Sequence, residues 1–115
     1  MNNNELLNLE RAMDSEEFIA LTYLQIKKDA TGLIDLSDEF APALDSPKSS
    51  LEDLILGIIH ELVNSTPEML SQFIYRVDLK ESIYLKSLAN RDFQSLSHEI
   101  LKREALKVFL RTKFS

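Results

Sequence analysis

The chain has 115 residues, with 13 Lys and Arg against 19 Asp and Glu, a formal net charge of −6, 44% hydrophobic residues, two glycines and no cysteine or tryptophan. A single domain with one modest core fits that length, the apolar fraction opposes disorder, and the lack of cysteine excludes disulfides, thiolate nucleophiles and cysteine-held metal sites. The longest apolar run, Leu54 to Ile59, falls far short of the roughly 20 residues a bilayer requires, and Met1-Asn2-Asn3-Asn4-Glu5 does not start a leader peptide, so the expectation is a cytoplasmic protein without membrane contact.

The scarcity of glycine, valine and threonine, set against many Leu, Glu, Lys and Ser, points to an all-α fold, a compact bundle of four to six helices. In the first thirty residues, Leu6, Leu9 and Met13 form one stripe and Phe18, Ile19, Leu21, Leu24 and Ile26 another. Asp14-Ser15-Glu16-Glu17 between them fits either a second helix cap or an exposed turn of one long helix, and Gly32 is a plausible stop. A long irregular connection follows at about 32–49. Segments of that length in small domains are either functional or draped over the core.

The clearest helix covers Leu51 to about Val63, where Leu51, Leu54, Ile55, Ile58, Ile59, Leu62 and Val63 share a face, with Ser50 and Asp53 resembling a capping box. Gly57 lies within that apolar stretch, and close helix packing is the simple reason for it. Ser65-Thr66-Pro67-Glu68 opens a short helix with Leu70, Phe73, Ile74 and Val77 inward. Asp78-Leu79-Lys80-Glu81 repeats the cap pattern and opens another, carrying Leu79, Ile83 and Leu88 and ending near Ala89-Asn90. The last helix, from about Asp92 to Thr112, presents Phe93, Leu96, Ile100, Leu101, Ala105, Val108 and Phe109. Its final turns carry Lys107, Arg111 and Lys113, the sign that suits a helix C-terminus.

Charge is divided unevenly. Residues 1–57 hold 12 acids and 4 bases, whereas residues 58–115 hold 7 acids and 9 bases. The acidic first part is expected to pack near the basic last helix; a basic handle for an acidic partner is the alternative.

Catalytic chemistry has little to work with, so the chain is expected not to be an enzyme and to hold no cofactor or metal. His60-Glu61 begins like a zinc-protease motif, but Asn64 stands where the second histidine belongs. Neither His60 nor His98 has a glutamate three residues before it, as a di-iron bundle needs. Both are expected on helix surfaces, His98 beside Glu99 and Lys102. No G-x-S-x-G elbow is present, and the isolated Gly32 and Gly57 cannot form a phosphate-cradling loop. Asn64-Ser65-Thr66 matches a glycosylation acceptor in form, but Pro67 makes it a helix boundary.

Binding to another protein is therefore the expected role, with a homodimer as one form of it. Two surfaces are candidates. Leu36, Phe40 and Leu44 make the long connection too apolar for a solvated loop, so they cover the core or fill a partner's groove. Lys102, Lys107 and Arg111 line the last helix, whose Leu106, Leu110 and Phe114 lie off its main stripe. The alternative is a nucleic-acid-binding helix-turn-helix over about residues 68–89, offering Lys80, Lys86 and Arg91. Glu81 at the head of the recognition helix and the net negative charge oppose it.

Overall fold

The computed structural model describes residues 11–12, 15–36 and 47–114, and not the side chains of Pro47, Lys48 and Phe114. Ser15 is extended and its hydroxyl accepts the Phe18 amide at 3.3 Å, so α1, Glu16–Ala30, begins on its own cap. Of the two readings of residues 14–17, the cap holds. Glu16 and Glu17 in the first turn and Lys27 and Lys28 in the last match the helix dipole. Gly32 takes a positive φ of 81° just past the helix end, the conformation that stops it.

Helix α2 spans Pro47–Ser65. It starts ahead of the expected Leu51, and Ser50 lies inside it rather than at its cap. Proline suits that first position because its ring presets φ and its missing N–H has no helical partner to lose. Gly57 also departs from expectation: it is exposed, and a methyl group added there would meet nothing within 4 Å.

Helix α3, Pro67–Val77, follows Thr66, which sits at the cap position without a side-chain capping bond. It closes on a Schellman motif. Asp78 adopts the left-handed conformation (φ 65°), the Asp78 amide donates to Tyr75 O at 3.1 Å, and the Leu79 amide donates to Ile74 O at 3.3 Å. Asp78 therefore ends α3 instead of capping the next helix. That helix, α4, is Glu81–Ala89 with Lys80 at its N-cap. It closes in the same way, with Arg91 left-handed at φ 53°, the Arg91 amide on Leu88 O and the Asp92 amide on Ser87 O. Both positions usually carry glycine, and this chain supplies the shape with an aspartate and an arginine. Helix α5, Phe93–Phe114, begins where Asp92 Oδ1 accepts the Ser95 amide at 3.0 Å.

Together these make an all-α bundle, with no strand among the described residues. Helix α5 is the hub: α2 packs along it most extensively, α1 and α4 lie against it, and α3 reaches it while packing mainly on α2 and α1. Ile55, Ile58, Ile59 and Leu62 of α2, Phe73 of α3 and Leu96, Ile100 and Val108 of α5 are fully buried. Removing such side chains from water supplies roughly 1.5–3 kcal/mol each. Leu24 and Leu88, expected inward, are 56% and 38% exposed. No described helix is long and apolar enough to cross a membrane.

Candidate functional site

The least expected feature is a polar junction where the ends of α1 and α3 meet α5. Its signal is the helical spacing itself: Ile100, Glu104 and Val108 lie four residues apart on the buried face of α5, and all three are fully buried. On α1, Thr22, Gln25 and Asp29 lie on the buried side beside Ile26 and Ala30. The Thr22 hydroxyl satisfies itself by donating to Phe18 O at 2.8 Å.

The remaining groups are joined by α5. The Lys107 ammonium donates to Asp29 Oδ2 at 2.6 Å and to Arg76 O and Val77 O at 3.1 and 3.3 Å, so one cation meets both a buried carboxylate and the negative end of α3. Gln25 Nε2 donates to Asp29 Oδ2 at 3.2 Å, and Arg111 donates to Gln25 Oε1 at 2.9 Å. From α3, the Arg76 guanidinium donates to Asp29 O at 3.2 Å and also to Thr31 O, which caps the end of α1. Arg103 reaches Asp78 Oδ2 at 2.7 Å.

Glu104 completes the cluster and is its anomaly. Lys107 Nζ comes within 2.8 Å of its Oε1 as an ion pair, yet neither carboxyl oxygen makes a well-aligned hydrogen bond among the described residues. Burial, followed by a hydrogen bond that the protonated acid can share with Asp29 and by the Asp29 charge, pushes the Glu104 carboxyl up to about 9 against the opposing pull of Lys107. The side chain is neutral at pH 7. At its centre Lys107 and Asp29 have side-chain exposures of only 20% and 10%, and the cluster can hold three helices together.

The sequence-derived candidates are distributed as follows. Leu36, with Leu33 and Ile34, is half-buried against the core, which favours the covering reading for the start of the connection. Phe40 and Leu44 lie outside the described residues. Lys102 is exposed beside Glu99 at 3.7 Å, whereas Lys107 and Arg111 turn to the internal contacts above. The acidic first part does meet the basic last helix, through Asp29 and Lys107. His60 is exposed with its ring edge-on to Phe93 at 5.6 Å. His98 is exposed too, but its Nδ1 lies 2.6 Å from Glu52 Oε1 on α2, a contact between distant segments that helix periodicity does not reveal.

A second feature lies on the surface of α3 and α4. Tyr75 is 85% exposed and Leu85 52%, with Leu88 beside it one turn along α4. The Ser71 and Tyr84 hydroxyls, 3.3 Å apart, join the two helices on this side. Asp78 is paired with Arg103 and Asp92 caps α5, while the side chains of Lys80, Lys86 and Arg91 are exposed and make no hydrogen bond or ion pair among the described residues. Around α4, exposed Leu85 and Leu88 thus lie among Lys80, Lys86 and Arg91, interleaved with the acids Glu81 and Asp92. No group of three or more His, Asp or Glu suited to a metal ion occurs among the described residues. Comparison with protein-family models, with curated proteins and with solved structures finds no match.

Proposed function

We propose that the protein is a non-enzymatic interaction module of the cytoplasm that docks an acidic, partly apolar surface of another protein on α4 and the adjoining face of α3. The observation that carries this reading is the exposure of Leu85 and Leu88 on α4 and of Tyr75 on α3, with the side chains of Lys80, Lys86 and Arg91 unpaired on or next to α4. Exposed aromatic and aliphatic groups gain most from being covered, and flanking cations select an acidic partner and speed the encounter. The backbone at Arg91 adds support. A left-handed arginine whose side chain has no partner among the described residues keeps a conformation that glycine would hold more easily, and such strain is concentrated at working surfaces.

Nucleic acid is the second reading, because the same three cations lie on or beside the helix that a helix-turn-helix would insert. Helix α4 packs on α5, however, and meets α3 chiefly through the Ser71 and Tyr84 hydroxyls, unlike the packed helix pair of that motif.

The test is capture of a partner by crosslinking from a photoreactive residue at position 75 or 88, with position 94 as the control. The docking reading expects one discrete adduct from the first two positions, lost in a Lys86→Glu, Arg91→Glu variant that melts normally. Equal adducts from all three positions would discard it. Retention of duplex DNA at low salt, abolished by the same reversals, would transfer the patch to nucleic acid. Sedimentation of the pure protein reads a homodimer directly.

A further inference from the structure

The junction of α1, α3 and α5 contains a group that docking does not use. Glu104 is fully buried with neither oxygen in a well-aligned hydrogen bond, and it shares a single cation with a second buried acid: Lys107 Nζ is 2.6 Å from Asp29 Oδ2 and 2.8 Å from Glu104 Oε1. Two carboxylates beside one ammonium in a dry site repel each other, so one of them must remain protonated for the helices to stay together. We propose that this junction is a latch held by a proton on Glu104, whose loss releases α1 from α3 and α5 while the seam between α2 and α5 stays packed.

The surrounding charges do not supply a substitute. On α1 the facing group is Asp29, which adds to the repulsion. On α3 the Arg76 guanidinium is taken up by Asp29 O and Thr31 O. On α5 itself Arg103 reaches out to Asp78 through Nη2, its buried Nε making no hydrogen bond among the described residues, and Arg111 is held by Gln25. The described titratable groups of α2 do not enter the cluster: Glu52 pairs with His98, and Asp53, His60 and Glu61 are exposed. Those of α4 lie elsewhere as well: Glu81 and Lys86 are exposed, and the Tyr84 hydroxyl meets that of Ser71. Only the proton relieves the conflict.

The closed latch keeps that proton up to about pH 9, whereas an opened one gives it up near 4.5, the ordinary value for this side chain. Between those limits each pH unit favours opening by about tenfold, because opening releases one proton. Release of α1 uncovers Phe18, Ile19 and Ile26, an apolar face concealed in the closed form.

Amide hydrogen exchange of the full chain between pH 6 and 8.5, divided by the intrinsic exchange rates, reads this equilibrium. The latch predicts that α1 amides are less protected than those of α2, that their opening constant rises about tenfold per pH unit, and that Glu104→Gln removes the slope. Three results would overturn it: α1 protection independent of pH, α1 and α2 exchanging in a single event, or the same slope in Glu104→Gln. The first two come from the wild-type protein, so the proposal is decided even if the variant does not fold.

Discussion

Helix α5 is held by different physics on its two sides. Toward α2 the contact is a seam of Ile55, Ile58, Ile59 and Leu62 against the apolar stripe of α5, with Ser97 donating to Glu52 O at 2.6 Å at its edge. Toward α1 and the end of α3 it is a web of ammonium, guanidinium, amide and carboxyl groups with a neutral glutamic acid inside. Apolar burial is indifferent to pH and tolerant of exact geometry. The polar junction depends on each partner being present in the right protonation state. The seam therefore supplies most of the stability, and the junction supplies the specificity of how α1 sits and the sensitivity to conditions.

The sharpest way to break that contrast is to damage each side separately. Phe73→Ala, which empties a fully buried site on α3, is expected to cost about 4 kcal/mol at any pH, measured by urea unfolding. A loss that varied strongly with pH would mean that the apolar core and the charges are not separable.

Glu104→Gln should behave in the opposite way. The folded protein holds the Glu104 proton to about 9 while the unfolded chain releases it near 4.5. The folded state therefore binds more protons between these values, and stability falls as pH rises. The penalty grows by about 1.4 kcal/mol per unit, or about 3 kcal/mol from pH 4.5 to pH 7. Glutamine cannot ionise, so the variant should gain on the wild type by that amount across the same window. Parallel stability profiles for the two proteins would contradict the assignment.

Lys107→Ala leaves Asp29 beside Glu104 without their shared cation, and strips Arg76 O and Val77 O of a donor. Partial exposure moderates the cost, so a loss of about 2 kcal/mol is expected at pH 7. Urea unfolding at pH 7 reads this loss, and an unchanged stability would contradict the shared-cation contact.

The smallest effects come from backbone shape. Gly57→Ala places a methyl group in open space on an exposed helix face and should stabilise by about 0.5–1 kcal/mol. Arg91→Gly, which relieves the left-handed conformation, should gain a similar amount in thermal melts. If that gain is accompanied by loss of the crosslinked partner, the strain at Arg91 is kept for docking.

The bundle was legible because its helices announce themselves through apolar spacing. The stripes at Leu51 to Val63 and Phe93 to Phe109 need no knowledge of neighbours to be read. Helix ends were harder. Pro47 starts α2 ahead of Ser50, and Asp78 looks like an N-cap in sequence but serves as the left-handed end of α3, because both choices depend on where the chain must turn. The junction was the least legible part. Glu104 occupies a stripe position, which is visible, but a lone acid there ordinarily reaches solvent. Its reason for staying inside is Lys107 in combination with Asp29, and Asp29 lies far away in sequence. The patch at Tyr75, Leu85 and Leu88 was hidden for a related reason: Leu88 has the spacing of a core residue, and only the docking of the short α4 on α5 turns it outward.

The carboxyl of Glu104 can be observed directly. A carbon-13 titration of protein labelled at glutamate Cδ separates acid from carboxylate by chemical shift. The account predicts one glutamate resonance that remains in the protonated position at pH 7 and moves only on approach to about pH 9, and that disappears in Glu104→Gln. A full set of ionised glutamates at pH 7, with the fold intact, would contradict it.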